Sequence, residues 1–126
     1  MTTPVIGPSP SSMGAAMQYA ESVLGGPLVE STAFSTVATT ATEVAPQNSD
    51  RVELILTNNG LNDAWVSTDP NLSTSTGIRL NAGGGSMVLI VTEDFTLVGR
   101  RWFAIVSTGT SRMDRLEMAR FAYRAG

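Results

Sequence analysis

Few side chains in this sequence could carry out chemistry. It has no histidine, cysteine or lysine, which removes the commonest general base, the thiol nucleophile, the Schiff-base amine and the lysine that a phosphate-binding loop needs. Carboxylates are what remain. Glu93, Asp94, Asp63 and Asp69 are the candidates for an acid/base pair of the glycosidase kind, which requires two carboxyl groups held across a scissile bond. All four lie among turn residues, where a carboxylate is ordinarily solvated. Asp69-Pro70-Asn71 lacks the further ligands and the glycine of a calcium loop. Gly83-Gly84-Gly85 has no lysine to serve a phosphate and reads as a turn. The residues therefore predict a non-enzymatic chain with no catalytic, cofactor or metal site.

Binding is the better prospect. Trp65 and Trp102 each sit in a β-forming run, where a tryptophan belongs to a core or an interface more often than to a ligand platform. All eight basic residues are arginines, and six of them (Arg100, Arg101, Arg112, Arg115, Arg120, Arg124) follow Gly99 in a chain whose net charge is −3. Such asymmetry fits either a contact between unlike surfaces or pairing inside one fold. Arg100, Arg101, Arg120 and Arg124 are the candidate partner-binding cations. Nucleic acid is disfavoured, because the chain is acidic overall and its aromatics are not interleaved with the arginines as a stacking surface requires.

The elements that must position these residues are mostly strands. With 126 residues and 42% hydrophobic content, the chain supports one compact domain with a real core. No apolar run reaches the roughly 18 residues of a membrane helix, and the start lacks the basic and apolar regions of a signal peptide, so a soluble, unprocessed chain with no membrane partner is expected. Residues 1–12 hold three prolines and predict an extended arm. Met13 to Leu24, with Met13, Ala16, Met17, Ala20, Val23 and Leu24 at helical spacing and Gly25-Gly26-Pro27 as a stop, predicts a short amphipathic helix. Twelve or so residues are marginal as an isolated helix, so Met13, Met17, Val23 and Leu24 are further candidate partner contacts. Residues 1–31 are read as this arm and helix, and 32–126 as a β domain.

Thr and Val enrichment over Leu28 to Thr42 favours a strand. Arg51 to Val66 is the densest β signal. Val52, Leu54 and Leu56 alternate with Arg51, Glu53 and Thr57, and Asn58-Asn59-Gly60 then predicts a tight turn into Trp65-Val66 as one antiparallel hairpin. Ser67 to Thr76 reads as a polar loop, Gly77 to Leu80 as a short strand, and Asn81 to Gly85 as a turn. Met87 to Val91 and Trp102 to Val106 are continuous apolar runs that predict strands buried on both faces, either between sheets or under a neighbouring subunit, with Glu93 and Asp94 between them. Ser107 to Thr110 is a turn. Ser111 to Arg124 fits a helix by propensity and a closing strand by context. Strands at this spacing predict a mainly β fold, an antiparallel β-sandwich or jelly-roll-like barrel.

The segment Thr42-Glu43-Val44-Ala45-Pro46-Gln47-Asn48 before Arg51, the Leu56-Thr57-Asn58-Asn59-Gly60 run, Gly77-Ile78-Arg79-Leu80 with Gly83-Gly84, and Ala104 to Thr110 together resemble small structural proteins of tailed bacteriophages. The match runs from Ala41 to Met118, so the arm, the helix and the final arginines fall outside it. The resemblance implies a β-sandwich carried on a virion that assembles in the bacterial cytoplasm. Its role there would be that of a capsid decoration or cement protein, with a tail, neck or head-fibre accessory as the alternative. The implied partners are the major capsid protein or other virion subunits, and copies of the chain itself in a homo-oligomer. A receptor- or carbohydrate-binding β module is the reading from another class. It would need an exposed aromatic groove, for which Trp65 and the Ser67 to Thr76 loop are the candidates.

Overall fold

The computed structural model describes residues 27–121. Eight strands make up the fold: β1 (Leu28–Val37), β2 (Thr42–Ala45), β3 (Arg51–Asn58), β4 (Ala64–Ser67), β5 (Ile78–Leu80), β6 (Gly85–Ile90), β7 (Trp102–Val106) and β8 (Ser111–Arg120). A one-turn helix, α1 (Val91–Asp94), and a 3-10 turn over Phe95–Gly99 join β6 to β7. One sheet has the order β1-β8-β3-β6 and the other β2-β7-β4-β5. Every pairing is antiparallel. The chain alternates between the sheets except at the β4–β5 hairpin, and this is the strand order of an eight-stranded jelly roll.

The core is built from the inward positions of both sheets. Leu54 and Leu56 of β3, Leu89 of β6 and Met113 of β8 face Ala64 and Val66 of β4, Leu80 of β5, and Trp102, Ala104 and Val106 of β7. Alternation on the period of 2 is what allows this. Val44, Ala45 and Val98 close the ends, and the Trp102 indole N–H donates to the Leu97 carbonyl at 3.0 Å.

Three sequence expectations need correction. First, β3 and β4 do not form a hairpin, since they lie in opposite sheets and Asn59 to Asp63 cross between them. Gly60 does not supply a left-handed residue there. It is required because a Cβ at that position would collide with Ser111 Oγ and with the Arg112 backbone nitrogen. The left-handed glycines are Gly83, Gly84 and Gly109. Second, Arg51 does not share an outward face with Glu53 and Thr57. The ladder to β8 shifts register between Arg51 and Glu53, and such a bulge reverses which face a side chain takes. Arg51 is thereby turned inward and buried. Third, β6 and β7 are not buried on both faces between the sheets: Val88 is 52% exposed, and Phe103 and Ile105 are half-buried, which leaves the other expectation, cover of their outer faces by a neighbouring subunit.

The expected loop and turns are present except at two ends, since Ser67 belongs to β4 and Gly85 to β6, leaving the loop from Thr68 and the turn from Asn81 to Gly84. Ser107 to Thr110 is a turn, and the final segment is a strand to Arg120. β1 begins at Leu28, four residues before the expected start of the β domain. The helix expected over Met13 to Leu24, with Met13, Met17, Val23 and Leu24, lies outside the described residues, as does Arg124.

Candidate partner-binding surfaces

The C-terminal arginines separate by what they touch. Arg120 donates to Asp50 Oδ1 at 3.0 Å, and its backbone N–H also meets the Asp50 carbonyl at 2.7 Å, so it ties the end of β8 to the turn before β3. Arg101 pairs with Glu43 at 2.9 Å on an exposed part of the β2–β7 ladder. Arg112 pairs with Asp114 at 3.1 Å and lays its guanidinium 4.2 Å from the centre of the Phe34 ring. Arg115 donates to the Val44 carbonyl at 3.2 Å and lies 3.6 Å from Glu117, joining the two sheets. Arg100 differs: it is exposed, and its guanidinium has no partner among the described residues. It lines a cleft of about 480 Å³ together with Gln47, Val91, Phe95 and Val98.

Beneath that cleft lies a polar clamp that the sequence pattern concealed. Arg51 Nε donates to Glu117, one Nη donates to the carbonyls of Val98 (3.1 Å) and Arg100 (3.3 Å), and the other to that of Pro46 (2.6 Å). Glu117 also accepts from Ser31 Oγ at 3.3 Å. A buried charge needs a counter-charge and hydrogen bonds; Arg51 has the counter-charge, and four of its five N–H groups are bonded. The clamp fixes the cleft wall by holding the 3-10 turn and the Pro46 turn against β3. Phe95, on the rim, is 71% exposed and has φ 53°. A non-glycine residue in that region stores strain that the surrounding structure must hold. The signal for Arg51 in the sequence was weak, a charged residue at the start of the most apolar strand.

A second surface is the outward face of the β1-β8-β3-β6 sheet. Register places Val88, Ile55, Leu116 and Thr32 side by side in one row across all four strands. The adjacent row is Ile90, Glu53, Met118 and Glu30. Glu53 and Glu30 thus flank Met118, and beyond them lies an apolar stripe. On the other side, Phe34 is 61% exposed. These residues come from four separate segments, so no local pattern in the sequence announced the stripe.

Three of the four carboxylates weighed for catalysis serve local backbone contacts. Asp63 accepts from the Ala82 N–H at 2.7 Å and from Arg79, and these two bonds, the first above all, hold its carboxyl below the usual aspartate range. Asp69 accepts from the Asn71 N–H at 2.8 Å, and Asp94 from the Ile90 N–H at 2.8 Å. Glu93 is exposed on α1. Trp65 is half-buried with Arg79 at 5.8 Å from its ring, and Trp102 is buried. Among the described residues no cluster of three or more acidic side chains is placed to hold a metal.

No protein-family model matches this sequence, and no curated protein matches it. Among solved structures, a chain from Bacillus endospore appendages, described as forming a novel family of disulfide-linked pili, is similar to this one. The two are 10% identical, the match covers 75% of this chain and 89% of that chain, and the TM-score is 0.46.

Proposed function

We propose that this chain is a non-enzymatic structural subunit of a larger particle, specifically a capsid decoration or cement protein of a tailed bacteriophage. In this reading the jelly roll is the displayed body, and residues 1–26, the part of the expected arm and helix that precedes β1, attach it to the major capsid protein. The observation that carries the structural role is the apolar row Val88–Ile55–Leu116 on the outward face of a four-stranded sheet. A contiguous apolar patch on a solvent-facing sheet is a surface suited to cover by another subunit. The phage assignment draws on the turn and strand motifs from Ala41 to Met118. A jelly roll serves capsid proteins, lectins and enzymes alike, so the fold by itself does not choose among them. Having no cysteine, the chain would join its neighbours without disulfides.

The test is co-sedimentation with phage particles that lack the protein, using the full chain and a chain starting at Pro27, which spares β1. The full chain is expected to sediment with the particles, and the shortened chain to stay in the supernatant while still melting cooperatively. Failure of the full chain to bind heads while it binds isolated tails would move the protein to the tail or neck. Binding to neither would remove it from the virion.

A further inference from the structure

Antiparallel ladders alternate between pairs that exchange both backbone hydrogen bonds and pairs that exchange none, so a single bond fixes where every group of an edge strand points. The Phe121 N–H donates to the Pro27 carbonyl at 2.6 Å, one step beyond the Leu28–Arg120 pair. Val29, Ser31, Ala33, Ser35 and Val37 therefore aim their N–H and C=O groups at β8. Leu28, Glu30, Thr32, Phe34 and Thr36 aim theirs away from the sheet, and no described residue outside the ladder meets them. Edge strands are ordinarily blunted by proline, lysine, a bulge or shortness. β1 has none of these: it is ten residues long, its register is unbroken, and its only charge is Glu30. Its inward-pointing Val29 is 47% exposed and Ser31 and Ala33 are exposed as well, so the opposing sheet leaves both faces open from Val29 to Phe34 and covers the strand only at its end, where Val37 is buried.

We propose that β1 is the self-association edge of this protein, with a second copy as its partner: two β1 strands pair antiparallel about a twofold axis at Thr32, making one continuous eight-stranded sheet. In this register Leu28 faces the partner's Thr36, Glu30 faces the partner's Phe34, and Thr32 faces its own counterpart. All five outward-pointing residues of each strand then become hydrogen-bonded pairs. Any other register leaves Leu28 or Thr36 without a partner in the strand, and centring on Glu30 sets like charges face to face, which is unfavourable. Charge supports the same choice. Glu30 of one copy falls beside the partner's Phe34, whose ring carries the Arg112 guanidinium at 4.2 Å. On the second face, Val29 meets Ser35 and Ser31 meets Ala33, small side chains that do not obstruct approach. The twofold also joins the row Val88–Ile55–Leu116–Thr32 to its copy, extending one stripe across the whole sheet. The contact is isologous, so it closes at two copies.

Two variants of the full chain test this. Thr32→Pro removes an outward N–H but none of the β1–β8 bonds, and proline is tolerated on an edge strand. By sedimentation equilibrium the parent should be dimeric, and Thr32→Pro should weaken the dimer at least about tenfold. Thr32→Cys introduces a single cysteine into a chain that has none. A hydrogen-bonded pair holds its Cα atoms about 5.5 Å apart, within the range a disulfide spans, so mild oxidation should give a covalent dimer. Glu30→Cys, whose counterpart is not itself, should not crosslink. The crosslink reads the register whether or not the proline variant folds. A monomeric parent, a dimer insensitive to Thr32→Pro in a folded variant, or oligomers in which Thr32→Cys fails to crosslink, as a head-to-tail β1-to-β6 contact would give, each overturn the proposal.

Discussion

Replacing Arg51 with alanine should be among the most damaging single changes in the domain. The guanidinium is fully buried and bonded to Glu117 and to the carbonyls of Pro46, Val98 and Arg100. Its removal leaves Glu117 with only Arg115 at 3.6 Å as counter-charge, and releases two turns from β3. Breaking a buried pair by deleting one partner costs about 3–5 kcal/mol, a large share of the roughly 5–15 kcal/mol that holds a domain of this kind. At about 4–8 °C per kcal/mol for this size, Tm should fall by at least about 12 °C. Thermal melts followed by circular dichroism measure this. Arg51→Met with Glu117→Leu should lose less than Arg51→Ala alone, because the buried Glu117 carboxylate is then not left without its arginine, although Arg115 loses its neighbouring counter-charge. A loss below about 1 kcal/mol for Arg51→Ala would refute the reasoning, since it would mean that water replaces the arginine freely.

Other expectations follow from single sites. Asn58 is buried, donates to the Asn62 and Leu80 carbonyls at 2.8 and 2.9 Å, and accepts from Ser111 Oγ and the Gly60 N–H at 2.7 and 3.1 Å. Asn58→Ala should therefore cost about 2–4 kcal/mol in a denaturant melt, given about 1–3 kcal/mol for each buried polar group left unsatisfied. Asp63 and Asp114 both have carboxyls held below the usual range, Asp63 first by the Ala82 N–H and Asp114 first by Asn59, with Arg79 and Arg112 second. A lowered folded value gives stability that is complete above the ordinary aspartate pKa of about 3.9 and is lost as pH falls through the lower folded values. Tm should thus decline below about pH 4, and less steeply in Asp114→Asn. Arg100 carries the cation without a partner among the described residues, so Arg100→Ala should leave Tm unchanged while reducing the salt dependence of particle binding. Arg120→Ala, which loses its bonds to Asp50, should instead lower Tm.

How far the sequence revealed the fold depended on whether its cues were local. β3, β7 and the Ile78–Leu80 strand were legible because apolar residues alternate, or run together between turns, over a few positions. The same local cue misled at Asn58-Asn59-Gly60. Asn-Gly between two β runs fits a hairpin, but the jelly roll sends β3 and β4 to opposite sheets, and the glycine answers to the backbone of β8 rather than to a turn. One bulge at Val52 reversed the expected face of Arg51 and so concealed the clamp. For β8, propensity favoured helix, and pairing to β1 and β3 on both sides outweighed it. The candidate surfaces were least legible. Arg100 and Arg101 were singled out from composition, yet only the three-dimensional pairing separates Arg100, whose guanidinium has no partner among the described residues, from Arg101, Arg112, Arg115 and Arg120. The apolar stripe depends on register among β3, β6 and β8, which no window of sequence contains.

The structural role is tested most directly by isolating the full chain under native conditions from the cells that produce it and imaging what accompanies it by electron cryo-microscopy. The account predicts phage heads bearing the jelly roll as regularly spaced density on the capsid surface, with the Val88–Ile55–Leu116 face covered by a neighbouring subunit. Recovery of the chain free in solution, with that face bare and no particle attached, would contradict it.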